Sequence, residues 1–528
     1  MLNKSLFSFS VICVIWLFAM IFAVANGFDI DGVFINSDTL YQPSLYWDLI
    51  ENQNSISDWS LNASPNFFPD MFFYFIFMKI SGGSILVSSF IFALAQILTI
   101  NLLITLVLKH ITKDYLKLML IVNVIFALFA CTRLVTNNFD FLFNFISNSY
   151  HLGSFVMMLI GFNFLVSYLT KRKKITLIYL FLTCMLGIMS DRLFLVNFSV
   201  PAVLTYLFFM RVSFTKKTIP LLTVLILSPL FGHILLHQLA ATFHFIYIEK
   251  PNSFLNWDNI YPSLELFLTQ MAAYMIDMSA VTIIIVISCI SLILYSIRSL
   301  MILFKNRNDK TIKDFAVFFV CTSSFAILLS PILAGNYTGS DTIRYNYHAF
   351  ILLSASFPLI ILEFVPAIKK YLSQISFAFF AIVVGLTLVL SFANPLPFGN
   401  YFNFYPKEAQ NADLLYEKTG LTVGTSEYWD AKLITMFSKH DLLVLPTFDN
   451  LVPYDHVTNK TWFHVHSKED KGLPVEFQFT ILDTDLRKES IHSKFPNYKD
   501  SIISINGQHF LIHPKYTYSK FLEIIPSK

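Results

Sequence analysis

The chain has 528 residues and a formal net charge of +3; 55% of the residues are apolar and only 13% are charged, where ordinary soluble domains carry roughly 25% charged residues. Water is therefore not its main solvent, and the composition reads as that of a polytopic α-helical membrane protein. The small net charge, without a basic stripe or a base-stacking platform, excludes nucleic acid as a partner.

Residues 6–25 follow Lys4 as a continuous apolar run without a small-x-small cleavage site, so they read as a retained first span rather than a signal peptide. With about 20 apolar residues needed per crossing, further spans are expected at 85–108, 116–132, 151–170, 175–190, 193–210, 218–239, 278–297, 314–334, 348–366 and 374–393, eleven in all. Segment 67–80, "FFPDMFFYFIFMKI", is apolar but short and closes at Ser81-Gly82-Gly83.

Cytoplasmic loops collect Lys and Arg, and this decides how 67–80 is read. If it lies on the outer surface or is re-entrant, one side holds Lys4, Lys109, Lys113, Lys117, the "KRKK" run 171–174, Arg211, Lys216, Lys217, the basic run from Arg298 to Lys313, Lys369 and Lys370. The membrane half then leaves Lys79, Arg133, Arg192, Lys250 and Arg344 outside. A full crossing would swap the side of every later loop.

This sidedness puts the loops 26–84, 133–150, 240–277 and 335–347 and the Asp191-Arg192 corner on the outer face. Residues 1–393 form the transmembrane domain and 394–528 a soluble extracytoplasmic α/β domain. In the latter, "LTVG" and "DLLVLP" read as strands around a helix "SEYWDAKLITMFSK" that Ser426 would cap. "SIISINGQHFLIH" reads as a hairpin turning at Asn506-Gly507. Cys13, Cys131, Cys184, Cys289 and Cys321 all lie in apolar segments, so no disulfide framework holds the polar parts.

The first outer loop concentrates carboxylates, Asp29, Asp31, Asp38, Asp48, Asp58 and Asp70, among Tyr41, Tyr46, Trp47 and Trp59. In one reading the acids solvate the loop and cap its short helices, and the aromatics form an interfacial belt. In the other, Asp38 is a general base at the head-group level, and Asp31, Tyr41, Trp59 and Asp70 shape a sugar-sized cleft.

The second reading gains from a resemblance. "SDTLY…LI…DW…P…FPDMFFYF" resembles the first external loop of the GT-C superfamily of polyprenyl-phosphate-dependent glycosyltransferases, in the bacterial branch of aminoarabinose transferases and protein mannosyltransferases. That branch carries Asp-Glu-x-x-Tyr, Gly-x-Trp and Pro-Pro-Leu elements. Asp38 and Tyr41 match the first, Asp58-Trp59 the second and Phe68-Pro69-Asp70 the third, while Thr39 stands in place of the Glu. "DTIRYNYHAFILLSASFPLIIL" is similar to the superfamily's Arg-Tyr element, with Arg344, Tyr345 and Pro358 matching. The resemblance implies that Arg344, with Tyr345, contacts the donor's lipid phosphate. Taken alone, Arg344 is equally an arginine snorkelling at a helix end.

Asp191 and Arg192 either neutralise one another or supply, through Arg192, a second phosphate contact. His233 and His237, spaced i,i+4, have zinc-binding spacing, but no nearby carboxylate or cysteine completes a ligand set, so a structural role is preferred. Residues 29–31, "DID", spell an Asp-x-Asp metal motif that three residues match readily by chance. No cofactor is expected, with a divalent metal as the alternative.

The expected activity is an inverting sugar transfer on the outer face of a bacterial cytoplasmic membrane. A polyprenyl-phosphate sugar is the donor, and a lipid, polysaccharide or protein is the acceptor. The rivals are a flippase or transporter of lipid-linked sugar, which would favour ionisable groups at mid-membrane, and a glycan polymerase or ligase.

Overall fold

A computed structural model describes residues 2–25, 35–136, 147, 151–210, 219–247, 255–276, 280–304, 310–367, 371, 374, 378, 381–382, 385, 389, 399–464, 475–496 and 501–520. The helices of the membrane half are α1 (Leu2–Ala25), α2 (Tyr41–Tyr46), α3 (Phe72–Ile80), α4 (Ile85–Ile111), α5 (Tyr115–Thr136), α6 (Leu152–Lys171), α7 (Lys174–Ser190), α8 (Val200–Met210), α9 (Ile219–Phe243), α10 (Trp257–Ile276), α11 (Ala280–Phe304), α12 (Ile312–Leu333) and α13 (Tyr347–Phe364). The C-terminal part adds α14 (Lys407–Thr419), α15 (Tyr428–Phe437) and α16 (Asp485–Lys494). The strands are β1 (Trp59–Leu61), β2 (Ile246–Tyr247), β3 (Val423–Ser426), β4 (Leu443–Pro446), β5 (Thr458–Asn459), β6 (Glu476–Leu482), β7 (Ser501–Ile505) and β8 (Gln508–Thr517).

Among the described residues, six helical stretches are long and apolar enough to cross a membrane: 85–111, 152–171, 219–243, 282–304, 312–333 and 342–364. Of the other expected spans, 6–25 and 116–132 lie in α1, of 24 residues, and α5, of 22, and 175–190 and 193–210 appear as shorter apolar stretches, Lys174–Ser190 and Leu195–Phe208. The expected span 374–393 lies mainly outside the described residues. The protein is thus a mostly helical membrane protein in which, among the described residues, six of the eleven expected spans are matched by a helix long and apolar enough to cross.

Helix α3 has nine residues, about 14 Å at 1.5 Å per residue, less than half of a bilayer core of about 30 Å. It is too short to cross. The expected outer loop 240–277 contains a whole helix, α10, of 20 residues. Asp258, Pro262, Glu265 and Gln270 interrupt its apolar pattern, so no continuous run announces it; Trp257, Tyr261, Leu268 and Ile276 remain exposed along it.

The bundle is pinned by polar contacts at intervals. The indole of Trp16 in α1 donates to Asn123 in α5. Arg298 in α11 donates to Glu363 at the end of α13 at 2.9 Å and to Asp314 at the start of α12 at 3.1 Å. Lys313 also pairs with Glu363. Asp314 doubles as half of a capping box with Thr311.

The C-terminal part is a five-stranded sheet in the order β4-β3-β6-β8-β7, parallel across β4, β3 and β6 and antiparallel across β6, β8 and β7. Both faces are covered, which is why β4 reads as the unbroken apolar run "LLVLP". Val444, Phe479, Ile481 and Phe510 pack under Ala412 and Leu415 of α14 and Ala431 and Ile434 of α15. Leu443, Leu445, Phe477 and Leu511 share the opposite core with Tyr41, Leu45, Trp59 and Met71 of the first loop, with Leu236 of α9 and with Phe245 just after it. The sheet is therefore bolted to the membrane half through one of its faces. A second sheet, β2-β1-β5, stitches the same partners: β1 runs parallel to β2 and antiparallel to β5.

The hairpin forms at the expected dipeptide, with Asn506 at φ 50° and Gly507 at φ 86°, the paired positive values that a two-residue primed turn requires. Ser426, in contrast, ends β3; the residue capping α15 is Glu427, which makes no side-chain cap bond. A strand that pairs through its last residue leaves the capping position one residue later.

Candidate active site

The first outer loop, the Asp191 corner and the segment 335–347, all expected on one face, meet at one end of the bundle, and α6 begins among them. His151, in the left-handed region at φ 64°, precedes α6 and places Nδ1 2.9 Å from Asp191 Oδ2. Asp191 Oδ1 accepts from Ser64 Oγ and from the Leu193 amide, each at 3.0 Å. Asp191 is thus paired with His151, because the corner between α7 and α8 turns its carboxylate toward α6. Burial alone would raise the Asp191 carboxyl, but the His151 charge and hydrogen bond and the Leu193 amide outweigh it and hold the pKa below the ordinary value.

Asp70 lies beside this pair, 3% exposed. Burial, reinforced by the repulsion of Asp191 and only partly offset by His151 and the Gly153 amide, pushes its pKa up to about 7. A Cβ on Gly153 would fall 2.5 Å from Asp70 Oδ1, so the start of α6 has to be glycine for the carboxyl to seat there. Two adjacent carboxyls with oppositely shifted affinities for a proton are a recurrent acid/base arrangement. Deeper in, Asn197 Nδ2 donates to Ser154 Oγ at 2.9 Å and contacts His348 Nδ1 at 2.9 Å.

From this cluster the path leads outward. The Tyr345 ring lies 5.5 Å from the His151 ring, and the Arg344 guanidinium lies 5.3 Å over Tyr345. Both sit on the 3₁₀ turn Ser340–Asn346 that leads into α13; Arg344 is exposed and Tyr345 half-buried. Arg192 is half-buried at its corner.

Asp38 is set by a reciprocal turn: the Asn36 amide donates to Thr39 Oγ1 and the Thr39 amide to Asn36 Oδ1, both at 2.9 Å. Thr39, where the resembled families carry Glu, thus closes the turn that presents Asp38. The half-buried carboxylate meets the C-terminal part, accepting from Tyr428 Oη at 2.7 Å through Oδ1. Lys432, one turn further along α15, donates to the Ser37 carbonyl at 3.3 Å. Burial, against the pull of the Asp38 charge, lowers the Lys432 pKa to about 7.

Tyr41 is buried and its hydroxyl donates to the Pro65 carbonyl at 3.4 Å; burial pushes the phenol pKa far up. Trp59 is fully buried and so stands in packing rather than on an open cleft. It donates Nε1 to Asp48 Oδ2 at 2.6 Å. The same carboxylate accepts from Asn459 at 2.7 Å, Trp462 at 3.2 Å and Asn54 at 2.7 Å, which joins the first loop to the C-terminal part. Asp31, like Asp29, lies outside the described residues.

The predicted residues therefore fall into two groups, joined through neighbours. Asp70, Tyr345 and Arg344 gather around His151 and Asp191. Asp38 lies one helical turn before Tyr41, which reaches Pro65, next to the Ser64 that binds Asp191. His151, Tyr428 and Lys432 are the site residues that the sequence reading did not name. His151 was hidden as the first residue of an expected span, and Lys432 as a lone lysine in the apolar run of α15; only the latter carried a signal, a charge on a buried face.

His233 and His237 contact each other at 3.2 Å between Nε2 atoms. Among the described residues no group of three His, Cys, Asp or Glu side chains is placed to hold a metal ion.

No protein-family model matches the chain, and no curated protein matches it. Among solved structures it is similar to the crystal structure of the Archaeoglobus fulgidus oligosaccharyltransferase in complex with Zn and sulfate, at a TM-score of 0.47 and 12% identity over 94% of this chain and 72% of that one. At that level the likeness is one of chain course and says nothing of the reaction.

Proposed function

We propose that the protein is a membrane glycosyltransferase that moves a sugar from a polyprenyl-phosphate donor to a hydroxyl acceptor at the outer face of a bacterial cytoplasmic membrane. The observation that carries this reading is the continuous run of contacts, at one end of an apolar bundle, from an accessible acid to an exposed cation: Asp38, Tyr41, Pro65, Ser64, Asp191, His151, Tyr345, Arg344. The acid and the cation are what an inverting displacement at an anomeric carbon needs, one to take a proton and one to receive the leaving phosphate.

Access assigns the roles. Asp38 is half-buried whereas Asp70 and Asp191 are sealed from solvent, so Asp38 is the base. Its carboxylate takes the proton of the acceptor hydroxyl as that oxygen bonds to the anomeric carbon. The carbon–oxygen bond to phosphate breaks, and polyprenyl phosphate leaves with the electron pair, held by Arg344, with Arg192 at the Asp191 corner as a second phosphate contact. Tyr345 fixes the Arg344 plane, and the His151–Asp191 pair with Asp70 fixes Tyr345 and the start of α6.

The test uses purified protein in liposomes carrying a polyprenyl-phosphate sugar and a mixture of candidate acceptors. Release of polyprenyl phosphate with appearance of a glycosylated acceptor supports the proposal. Passage of the intact glycolipid between leaflets without bond cleavage overturns it in favour of a flippase.

A further inference from the structure

The C-terminal sheet domain has no chemistry assigned to it so far, yet it reaches the proposed base. Ser37 Oγ donates to the Tyr428 carbonyl at 2.5 Å and lies 3.0 Å from that of Trp429, which ties the Asp38 turn to the first residues of α15. The Tyr428 hydroxyl donates to Asp38 Oδ1. Lys432 is 3% exposed, lies 5.0 Å over the Tyr428 ring and donates to Ser37 O on the far side of the same turn. The Tyr428 ring is itself held by Tyr454 at 5.0 Å and His456 at 5.9 Å.

A buried lysine is costly unless a specific partner holds it. The fold buries this one next to the half-buried carboxylate that the proposed reaction uses, in a domain where a surface lysine would have served solubility equally well. The Tyr454 phenol feels the same carboxylate: burial first, then the Asp38 charge, raises its pKa.

We infer that Tyr428 and Lys432 of the C-terminal domain are positioning residues for Asp38, so that the proton-accepting end of the site is completed only when this domain is docked. Tyr428 occupies Oδ1 and leaves Oδ2 as the atom that receives the acceptor's proton, while Lys432 holds the turn through the Ser37 carbonyl. The inference rests on the transferase reading of Asp38 and adds that the soluble domain is part of the catalytic apparatus. The Arg344 end, where the contacts run to Tyr345 and His151 of the membrane half, is not part of this inference.

The test measures kcat and KM for a polyprenyl-phosphate sugar with the full-length wild type, Tyr428→Phe, Lys432→Met and Lys432→Arg, with amide hydrogen exchange over 35–46 and 428–437 as a check on docking. Tyr428→Phe, which removes one oxygen and keeps the ring, is expected to lower kcat about 10-fold or more while the donor KM and the exchange protection stay near wild type. Lys432→Met should do the same, with Lys432→Arg recovering most of the rate. Wild-type kcat in both Tyr428→Phe and Lys432→Met, in a wild type that turns over, overturns the inference alone, as does a loss confined to KM. A wild type that cleaves no lipid-phosphate sugar with any acceptor overturns the transferase reading, and this inference with it. If Lys432→Met fails to fold, Tyr428→Phe decides.

Discussion

Asp48 offers the sharpest test of how the two halves are held together. Among the described residues its carboxylate is held by four N–H groups: Trp59 at 2.6 Å and Asn459 at 2.7 Å on Oδ2, Asn54 at 2.7 Å and Trp462 at 3.2 Å on Oδ1. Asp48→Asn keeps the shape but turns one acceptor into a donor. The amide nitrogen will face the Oδ1 side, where the Trp462 bond is longest and Asn54 is open to water. That orphans the buried Trp462 N–H, at about 1–3 kcal/mol, and weakens two charge-assisted bonds by about 1 kcal/mol each. The expected cost is about 3–5 kcal/mol, localised to the joint between the first loop and the C-terminal domain. Thermal unfolding in detergent should show the loss, and limited proteolysis should cut the C-terminal domain at lower temperature while 85–364 stays protected. A melting curve and cleavage pattern equal to wild type would refute the claim that Asp48 clasps the domain.

Other expectations follow from the same geometry. Gly153→Ala drives a Cβ to within 2.5 Å of Asp70 Oδ1; turnover should fall at least about 10-fold, with a stability loss of about 1–3 kcal/mol from overpacking, read by kinetics and melting together. Folding raises the Asp70 carboxyl from 3.8 to about 7, so its contribution to stability is complete below about pH 4 and is lost as pH rises through about 7. Asp70→Asn should therefore match wild-type stability near pH 4 and exceed it near pH 8, checked by melting at both values. Arg298→Met leaves Asp314 and Glu363 without their shared guanidinium and should cost about 2–3 kcal/mol, discounted from the buried-pair range because Asp314 keeps its Thr311 bonds.

How much of this was legible beforehand depended on the range of the interaction. The Asn506-Gly507 hairpin, the β3 and β4 strands and most membrane helices follow from local pattern and were readable. Helix α10 was not, because Asp258, Pro262 and Glu265 break its apolar run and its status as a helix depends on α12 packing beside it. Asp38 and Arg344 could be picked from short motifs, but nothing local shows that Tyr428, some 390 positions from Asp38 in sequence, donates to it. Trp59 illustrates the converse: an aromatic in an outer loop reads as a cleft wall until a carboxylate eleven positions earlier is seen to hold its indole inside.

The central claim is that Asp38 and Arg344 act on the same lipid-phosphate sugar. Single-turnover rates with a defined polyprenyl-phosphate sugar, for wild type, Asp38→Asn and Arg344→Gln under saturating donor, test it most directly. The account predicts bond cleavage by the wild type, a fall of about 10²–10⁴ in Asp38→Asn and of about 10²–10³ in Arg344→Gln, with both variants folded. Cleavage at the wild-type rate in Asp38→Asn would contradict it.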